Sequence, residues 1–372
     1  MNYLEKLLQG APVEWKTLGE VAKLQRGRVI SKQYLSENIG DYPVYSSQTA
    51  NNGEIGTIST FDFDQEAITW TTDGANAGTV FHRFGKFSIT NVCGLVNILD
   101  LQKLDYKFLF YWLSIEAKKY VYSGMGNPKL MSNQMEKIKI PIPPLAVQKE
   151  IAQILDRFTA LTSELTSELT LRQKQYQHYR DKLLTFGDEV EWKTLGEVAP
   201  PIRGKRVVRA ELNENGIYPV YQNSLKPLGF YDKTNCRKYS TFIIAAGAAG
   251  EVGFSDVDFW AADDCYYFKC PEILNDKFLY YFLLKENHKL FSQVRRASIP
   301  RLGKTAIESL KIPLPPLEEQ KRIATILDKF HTLTSSLSDG LPKEIELRQK
   351  QYEYYRDLLL NFKQDEASLS PS

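Results

Sequence analysis

The sequence has few residues of the kinds that form disulfides or bind zinc. Only four cysteines and four histidines occur among its 372 residues. No Cys-x-x-Cys pair is present, so the usual zinc spacings are excluded. The pattern predicts a cytosolic protein without a bound metal, in which the free thiols are mostly buried. The four thiols belong to Cys93, Cys236, Cys265 and Cys270.

Long apolar runs and a strong charge of one sign are also missing. No stretch reaches the ~20 apolar residues that a membrane-spanning helix needs. The first ten residues, MNYLEKLLQG, lack the apolar segment of a secretory signal. The 47 basic and 45 acidic residues give a formal net charge of only +2. We therefore expect a cytoplasmic protein in which any nucleic-acid binding depends on local basic patches.

Motifs that bind phosphate or S-adenosylmethionine are incomplete. The segment Gly303-Lys304-Thr305 resembles the end of a Walker A loop, but Ser298 replaces the earlier glycine and no apolar strand precedes it. The segment Asn127-Pro128-Lys129-Leu130 lacks the second proline and the aromatic residue that an adenine methyltransferase would stack on a flipped base. No Ser/His/Asp triad, carboxylate pair or glycine-rich S-adenosylmethionine loop stands out. The sequence predicts a non-catalytic chain.

What the sequence does contain is an internal duplication. Residues 14–22, EWKTLGEVA, recur identically at 191–199, and the YPVY of residues 42–45 recurs at 218–221. A fixed period of this kind indicates a repeated structural unit. Each copy is predicted to be a globular part of about 130 residues followed by a long helix.

The first predicted long helix covers residues 145–186, which contain neither proline nor glycine. Ile151, Phe158, Leu165 and Tyr179 belong to a row that recurs every seven residues, which is typical of a narrow apolar stripe facing a partner helix. About 40 residues at ~1.5 Å each give a rod of roughly 60 Å.

The predicted partner helix is residues 317–362 of the same chain. Ile323 matches Ile151, and Arg348 matches Arg172, so the second copy carries four extra residues near Gly340. Such an insertion nearly preserves the apolar phase, but Pro342 is predicted to interrupt the helix and to begin a new segment.

Within the globular parts, β-branched and aromatic runs between turn signals predict strands. Helical periodicity follows them in both copies, and the aromatic residues of these helices are interpreted as core. The result is an α+β fold class with a twisted sheet in each copy. The predicted strands are 42–46, 66–71 and 87–98, with counterparts near 218–222, 240–246 and 258–269; the turns are 73–78 and 247–250, and the helices are 105–121 and 276–294.

The predicted organisation has six segments. Residues 3–8 resemble the end of the first long helix and are expected to pack against the second, which would complete a pseudo-twofold object. The segments are an N-terminal helix tail (1–13), a first globular domain (14–143), a first long helix (144–186), a second globular domain (187–315), a second long helix (316–363) and a disordered tail (364–372).

Basic and polar loops lie between the predicted elements at matching places in both copies. Arginine and lysine pair with guanine edges or phosphates, and asparagine and glutamine with adenine. Most polar loops are simply solvated, but the recurrence of basic residues favours a shared role. The candidates in the first copy are Arg26, Arg28, Ser47, Gln48, Asn51, Asn52, Thr72, Asn76, Asn127 and Lys129; those in the second are Arg203, Lys205, Arg206, Gln222, Asn223, Lys226, Arg295, Arg296, Ser298 and Arg301.

The duplicated design resembles the specificity subunit of type I restriction-modification systems. The hallmark is the IPxPPLxxQxxIAxILD segment that leads into each helix, at residues 140–156 and 312–328, together with the EWKTLGEVA start of each half and the Arg-Gly pair after it. The resemblance covers the chain apart from its tail.

This resemblance implies two target recognition domains joined by an antiparallel coiled coil. Each domain would read one half of a bipartite double-stranded DNA target, and the coiled coil would set the spacer between the halves. The subunit itself would hold no cofactor. Two modification subunits would dock on the helices and use S-adenosylmethionine, and restriction subunits would use ATP and Mg²⁺.

Two other interpretations remain open from the residues alone. One is a coiled-coil adaptor whose globular ends bind protein or glycan, which would show no DNA retention at low salt. The other is a methyltransferase or nuclease without a recognised motif, which would be active with S-adenosylmethionine or Mg²⁺.

Overall fold

The architecture was taken from a computed structural model of the chain. It describes residues 3–123, 126–213, 215–296, 298–336 and 339–363. The predicted disordered tail at 364–372 lies outside these ranges. No helix in the described part of the chain is long and apolar enough to cross a membrane.

The chain forms two compact units. Unit one is discontinuous and comprises the described residues of Met1–Glu164 and Glu346–Ser372, whereas unit two is Leu165–Ile345. The globular part of unit one consists of α1 (Tyr3–Leu8), β1 (Glu14–Thr17), α2 (Leu18–Val21), β2 (Ala22–Arg26), α3 (Lys32–Glu37), β3 (Tyr42–Tyr45), β4 (Glu54–Ile58), β5 (Phe63–Asp64), β6 (Ala67–Thr71), β7 (Val80–Arg83), β8 (Lys86–Ile89), β9 (Cys93–Ile98), α4 (Tyr106–Glu116), α5 (Ser132–Met135) and β10 (Lys139–Ile142).

The long helix α6 (Leu145–Leu183) follows and contributes its first half to unit one and its second half to unit two. The second repeat then follows a similar order. Its elements are β11 (Trp192–Thr194), α7 (Leu195–Val198), β12 (Ile202–Arg203), β13 (Tyr218–Tyr221), β14 (Gly229–Tyr231), β15 (Ser240–Ile244), β16 (Val252–Ser255), β17 (Trp260–Ala261), β18 (Cys265–Tyr267), α8 (Asp276–Lys285), α9 (Asn287–Ser292), α10 (Lys304–Glu308), β19 (Lys311–Pro313), α11 (Leu317–Ser335) and α12 (Leu341–Leu359).

Both globular parts are built from small, mostly antiparallel sheets. In unit one the strand orders are β2-β9-β6-β7, β4-β3-β8-β5 and β1-β10; in unit two they are β12-β18-β15-β16, β14-β13-β17 and β11-β19. One parallel pair recurs in each, β3 with β8 and β13 with β17. The α+β class predicted for each copy is therefore confirmed.

The predicted elements have the correct type of secondary structure, but the bounds of some of them differ from the structure. The strand predicted at 87–98 is two strands, β8 and β9, because the chain turns at 90–92, where the Cys93 amide donates to the Thr90 carbonyl at 2.9 Å. The helix predicted at 276–294 is likewise two, α8 and α9, which meet at Glu286.

The aromatic helices α4 and α8 form the centre of each core, as predicted. Asp105 caps α4 by accepting from the Phe108 amide at 2.9 Å, and Asn275 caps α8 by accepting from the Phe278 amide at 3.0 Å. Phe108 and Phe278 are both fully buried. The caps therefore fix the start of each helix, and the aromatic side chains that follow contribute large buried surfaces to each core.

A buried glutamine ties each long helix to its globular part. The Gln148 amide nitrogen donates to the carbonyls of Lys103 and Pro143 at 2.7 and 2.8 Å, and its oxygen accepts from the Asp105 amide at 2.9 Å. Gln320 in the second copy makes the matching three bonds, to Ile273, Pro315 and Asn275. This explains the glutamine of the repeated PPLxxQ segment, because both side chains are completely buried and two of the three bonds of each reach the loop before the aromatic helix.

An aspartate about two turns further along each long helix makes a second link. Asp156 accepts from the Tyr111 hydroxyl at 2.7 Å and pairs with Lys107. Asp328 accepts from the Tyr281 hydroxyl at 2.6 Å and pairs with Lys277 at 2.5 Å. Burial, followed by the neighbouring Asp328, raises the pKa of Tyr281. Each globular part is thus held on its helix by the same glutamine and aspartate contacts.

The long helices pair in antiparallel order, as predicted. Within unit one, Phe158 of α6 contacts Tyr355 of α12. Within unit two, Tyr179 of α6 contacts Phe330 of α11. As α6 advances, the number of its partner residue falls, which is the order of an antiparallel coiled coil.

The predicted interruption of the second long helix is also confirmed. The helix α11 ends at Ser335 and α12 begins at Leu341, with Pro342 as its second residue. Gly340 precedes it at φ +92°, and a Cβ there would lie 2.4 Å from the Thr332 carbonyl oxygen. Only glycine satisfies both constraints.

Candidate nucleic-acid interface

In unit one, the turn between β8 and β9 brings several of the predicted loops together. The Asn91 carbonyl accepts from the Arg26 Nε at 3.0 Å, and the Val92 carbonyl accepts from the Thr72 amide at 3.2 Å. The Thr90 hydroxyl lies 2.8 Å from the hydroxyl of Ser46. The ends of β2, β3 and β6 therefore converge on one three-residue turn.

Asp73 is the electrostatic centre of this group. Its carboxylate accepts from the Thr72 hydroxyl at 2.7 Å and lies 3.8 Å from both the Arg26 Nη2 and the Lys129 Nζ. Arg26 also donates to the Thr72 hydroxyl at 3.0 Å. Thr72 is fully buried, so we assign it to support of Asp73 and not to contact with a ligand.

A neighbouring basic residue is paired as well. The Arg28 Nε contacts the two carboxylate oxygens of Asp62 at 3.1 and 3.0 Å, and its guanidinium lies 5.0 Å from the centre of the Tyr34 ring. All three basic candidates of the first copy, at positions 26, 28 and 129, thus have an acidic partner.

A buried arginine holds the backbone of the loop that carries Asn51 and Asn52 in unit one. Arg83 is 3% exposed, donates to the Asn52 carbonyl at 2.8 Å and to the Thr69 hydroxyl at 3.1 Å, and lies 3.6 Å from the centre of the Tyr45 ring. Burial lowers the pKa of Arg83. Asn51 and Asn52 have φ values of +48° and +53°, and both residues are exposed.

The remaining candidates of the first copy occupy the same loops. Ser47 and Gln48 are half-buried before the asparagines, and the Gln48 amide donates to the Glu54 carbonyl. Asn76 and Asn127 are exposed on two loops that meet through a bond of 3.0 Å from the Gly74 amide to the Pro128 carbonyl.

Unit two repeats this backbone framework. The Gly247 amide donates to the Pro300 carbonyl at 3.2 Å, the Leu302 amide donates to the Ala245 carbonyl at 2.8 Å, and the Arg203 Nε donates to the Asp263 carbonyl at 2.8 Å. The candidates of the second copy lie around it, and all are exposed except the half-buried Gln222. They are Arg203, Lys205, Arg206, Gln222, Asn223, Lys226, Arg295, Arg296, Ser298 and Arg301.

Backbone bonds position two loops of the second copy. The Asn223 carbonyl accepts from the Ala248 amide at 2.9 Å, which places the loop after β13 beside the turn after β15. Arg295 and Arg301 exchange two backbone bonds of 2.9 and 3.1 Å, which close a hairpin-like loop.

Sequence reasoning missed three residues that contact the candidate site residues of the first copy. Asp73 and Asp62 pair with the predicted arginine and lysine side chains. Arg83 donates to the backbone carbonyl of Asn52, one of the predicted asparagines. Asp73 lies within the recognised turn at 73–78, so an acidic residue in a turn beside basic loops was the available signal. Asp62 and Arg83 have no such signal, because their partners are distant in sequence.

Within the described residues, no group of three or more His, Cys, Asp or Glu side chains could hold a metal ion. Burial raises the pKa of the Cys93 thiol to about 12 and that of Cys236 to about 12. Neither thiol has the character of a nucleophile.

The chain is similar to known proteins over nearly its whole length. Residues 12–172 and 187–347 both match the family described as Type I restriction modification DNA specificity domain. A putative type I specificity subunit of Mycoplasma pneumoniae is 34% identical over 355 residues, which cover 92% of this chain and 96% of the relative. The specificity subunit of the type I restriction enzyme EcoR124I/EcoR124II of Escherichia coli is 34% identical over 412 residues, with 99% and 98% covered.

Solved structures agree on the fold. A crystal structure of the S subunit of a type I restriction-modification system from M. genitalium superimposes with a TM-score of 0.72 at 19% identity, covering 98% of this chain and 100% of that one. A second chain, from a study of assembly of the type I system, has a TM-score of 0.52 at 16% identity, with 94% and 98% covered. The two matched repeats and the full-length relatives show that this chain belongs to the family of type I restriction-modification specificity subunits.

Proposed function

We propose that this chain is the DNA sequence-specificity subunit of a type I restriction-modification complex. The observation that carries the proposal is that the same loop framework occurs twice, each time on a globular part fixed to a long paired helix. Two domains with the same fold are suited to a DNA target with two separated parts, as in dimeric proteins that bind two half-sites on duplex DNA. The proposed recognition domains are residues 14–143 and 187–315.

The base-reading and phosphate-binding side chains are proposed to be the exposed or half-buried candidates around each framework. In the first domain they comprise arginine, lysine, asparagine, glutamine and serine side chains, which suit both base edges and phosphates. Thr72 is removed from this set because it is buried. The subunit would act without catalytic residues or a cofactor of its own, and as a DNA-binding protein it would work in the cytoplasm.

The partners are proposed to dock on the coiled coil. The LRQKQ segments at 171–175 and 347–351 are identical, and their first residues, Leu171 and Leu347, are 64% and 47% exposed. Exposed leucines on a surface that is present twice suit two copies of one partner. Two modification subunits would bind there and supply methylation with S-adenosylmethionine. Restriction subunits would add ATP- and Mg²⁺-dependent functions.

Exchange of one domain tests the proposal. Residues 14–135 would be replaced by the corresponding part of a relative, and modified adenines would be mapped in cells that also express the modification subunit. We expect one half of the methylated sequence to change while the other half and the spacer stay the same. A change in both halves, or in neither, would contradict the proposal.

A further inference from the structure

The corresponding loops of the two domains differ in how their basic residues are paired. In the first domain, Arg26, Arg28 and Lys129 each lie within 4.0 Å of a carboxylate. In the second domain, within the described residues, none of the basic candidates forms such a pair. Those candidates are Arg203, Lys205, Arg206, Lys226, Arg295, Arg296 and Arg301.

Backbone hydrogen bonds show which residues correspond. The Leu130 amide donates to the Thr72 carbonyl at 2.9 Å, and the Leu302 amide donates to the Ala245 carbonyl at 2.8 Å. The next residue of each loop bridges to the basic residue before the leucine, Asp73 to Lys129 and Ala246 to Arg301. The position of Asp73 is therefore occupied by Ala246 in the second domain.

One more position adds to the contrast. The second bridge partner of Lys129 is Tyr122, whereas the second bridge partner of Arg301 is Arg295. The second domain does carry acidic residues at 263 and 264, but within its described part neither carboxylate lies within 4.0 Å of a basic nitrogen. The same framework thus presents compensated charge in one domain and uncompensated charge in the other.

This difference has a direct consequence for binding to a polyanion. A basic side chain that neutralises a phosphate releases a condensed counterion, which makes the slope of log Kobs against log salt more negative by ~0.9 per phosphate. A basic side chain already paired with a carboxylate must first give up that partner. It therefore contributes less to the salt-dependent term.

We propose that the two domains hold DNA by different means. The second domain supplies most of the phosphate-directed, salt-sensitive binding through its unpaired arginines and lysines. The first domain, in which Asp73 and Asp62 pair with all three basic residues, binds its half-site mainly by hydrogen bonds and depends less on salt. This inference rests on the proposed DNA-reading function.

The matched pair Lys129 and Arg301 provides the test, because both side chains are exposed and their backbones make the same bridge. The Arg301→Gln and Lys129→Gln variants would be compared as the full chain in complex with its modification subunits. Binding to a duplex of about 40 base pairs carrying the methylated target would be measured by fluorescence anisotropy from 50 to 200 mM KCl. We expect Arg301→Gln to make the negative slope flatter by about 0.9, and Lys129→Gln to make it flatter by about 0.3 or less.

The Asp73→Asn variant is the complementary test. It should make the slope steeper by about 1, and adding Lys129→Gln to it should remove that gain. Equal slope changes for the two glutamine variants, or an unchanged slope for Asp73→Asn, would overturn the inference. If the unaltered complex retained no duplex at 50 mM KCl, the proposed function itself would fail instead.

Discussion

Phe158 stacks on Tyr355, with ring centroids 5.2 Å apart and planes inclined by 20°. The same contact occurs between Phe330 and Tyr179, at 5.5 Å and 23°. In the duplicated sequence Phe330 corresponds to Phe158, and Tyr179 corresponds to Tyr355. Each stack therefore joins the first part of one helix copy to the last part of the other copy.

The exchanged pairing predicts which residues are energetically coupled. In a double-mutant cycle, Phe158→Leu and Tyr355→Leu should show a coupling of about 0.5–1.5 kcal/mol. Either single substitution already removes the stack, so the double variant does not lose it a second time. Urea-induced unfolding monitored by circular dichroism would measure it. The control cycle combines Phe158→Leu with Tyr179→Leu, two residues that do not stack on each other. Coupling in the control and not in the test pair would show that the assigned pairing is incorrect.

The buried glutamines should be among the most sensitive polar residues. Replacing Gln148 with alanine removes the side-chain partner of the Lys103 and Pro143 carbonyls and of the Asp105 amide, which should lower the free energy of unfolding by about 2–4 kcal/mol. Gln153, an exposed glutamine on the same helix, is the matched control, and its alanine variant should change stability by less than about 0.5 kcal/mol. Similar losses in both variants would mean that the three hydrogen bonds do not stabilise the fold.

The glycine of each Arg-Gly pair is required by close packing. A Cβ on Gly27 would lie 2.0 Å from the Ile89 carbonyl oxygen, and one on Gly204 would lie 2.1 Å from that of Ala262. We expect Gly27→Ala to destabilise the protein by about 1–3 kcal/mol. Gly126 has no atom within 4 Å of its added Cβ, so Gly126→Ala serves as the control in the same thermal unfolding assay. A fully stable Gly27→Ala protein would contradict the close approach.

Unit two should lose stability on acidification through His331. Its ring lies 6.4–6.5 Å from those of Tyr176, Tyr280 and Tyr281. Burial lowers the pKa of His331 below its ordinary value of 6.5, while Asp328 opposes that shift and Lys277 adds to it.

The sign follows from linkage. Because the unfolded state binds the proton more readily, the free energy of unfolding is highest above pH 6.5 and falls as the pH drops through and below that value. The variant His331→Thr carries the residue of the corresponding position, Thr159, and should show a flatter dependence between pH 5 and 7 in urea titrations. A steeper or unchanged dependence would exclude this role.

The exposed leucines of the helices should matter for assembly and not for folding. Leu171→Glu should remove one modification subunit from the complex, and the double variant with Leu347→Glu should remove both, as measured by light scattering of the purified complex. Stability should change by less than about 0.5 kcal/mol, since both side chains are exposed. Gln153→Glu, an exposed change on the same helix outside the LRQKQ segment, should leave the stoichiometry intact. Full assembly of the double variant would place the docking surface elsewhere.

The sequence was most informative where structure depends on local pattern. The seven-residue row of α6, the break at Pro342 and the duplication all follow from spacing, and all three are present in the fold. The roles of residues whose partners are distant in sequence could not be predicted from the sequence. The Asp73 pairing with Arg26 arises only when β2 and the turn after β6 meet, and Gln148 is recognisable as a repeated residue but not as a link between three segments.

Unit one is discontinuous, and this has a consequence for its folding during synthesis. Its core includes Leu359 and Leu360, which are 0% and 3% exposed, and these residues leave the ribosome only after the whole of unit two. Unit two is a single stretch that ends at Ile345, so it can complete its core first. At about 5–20 residues per second, the nascent first domain waits roughly 10–40 s for its missing helix. During that interval the apolar surface of the first domain stays exposed and accessible to chaperones. The N-terminal domain therefore completes its core after the second domain does.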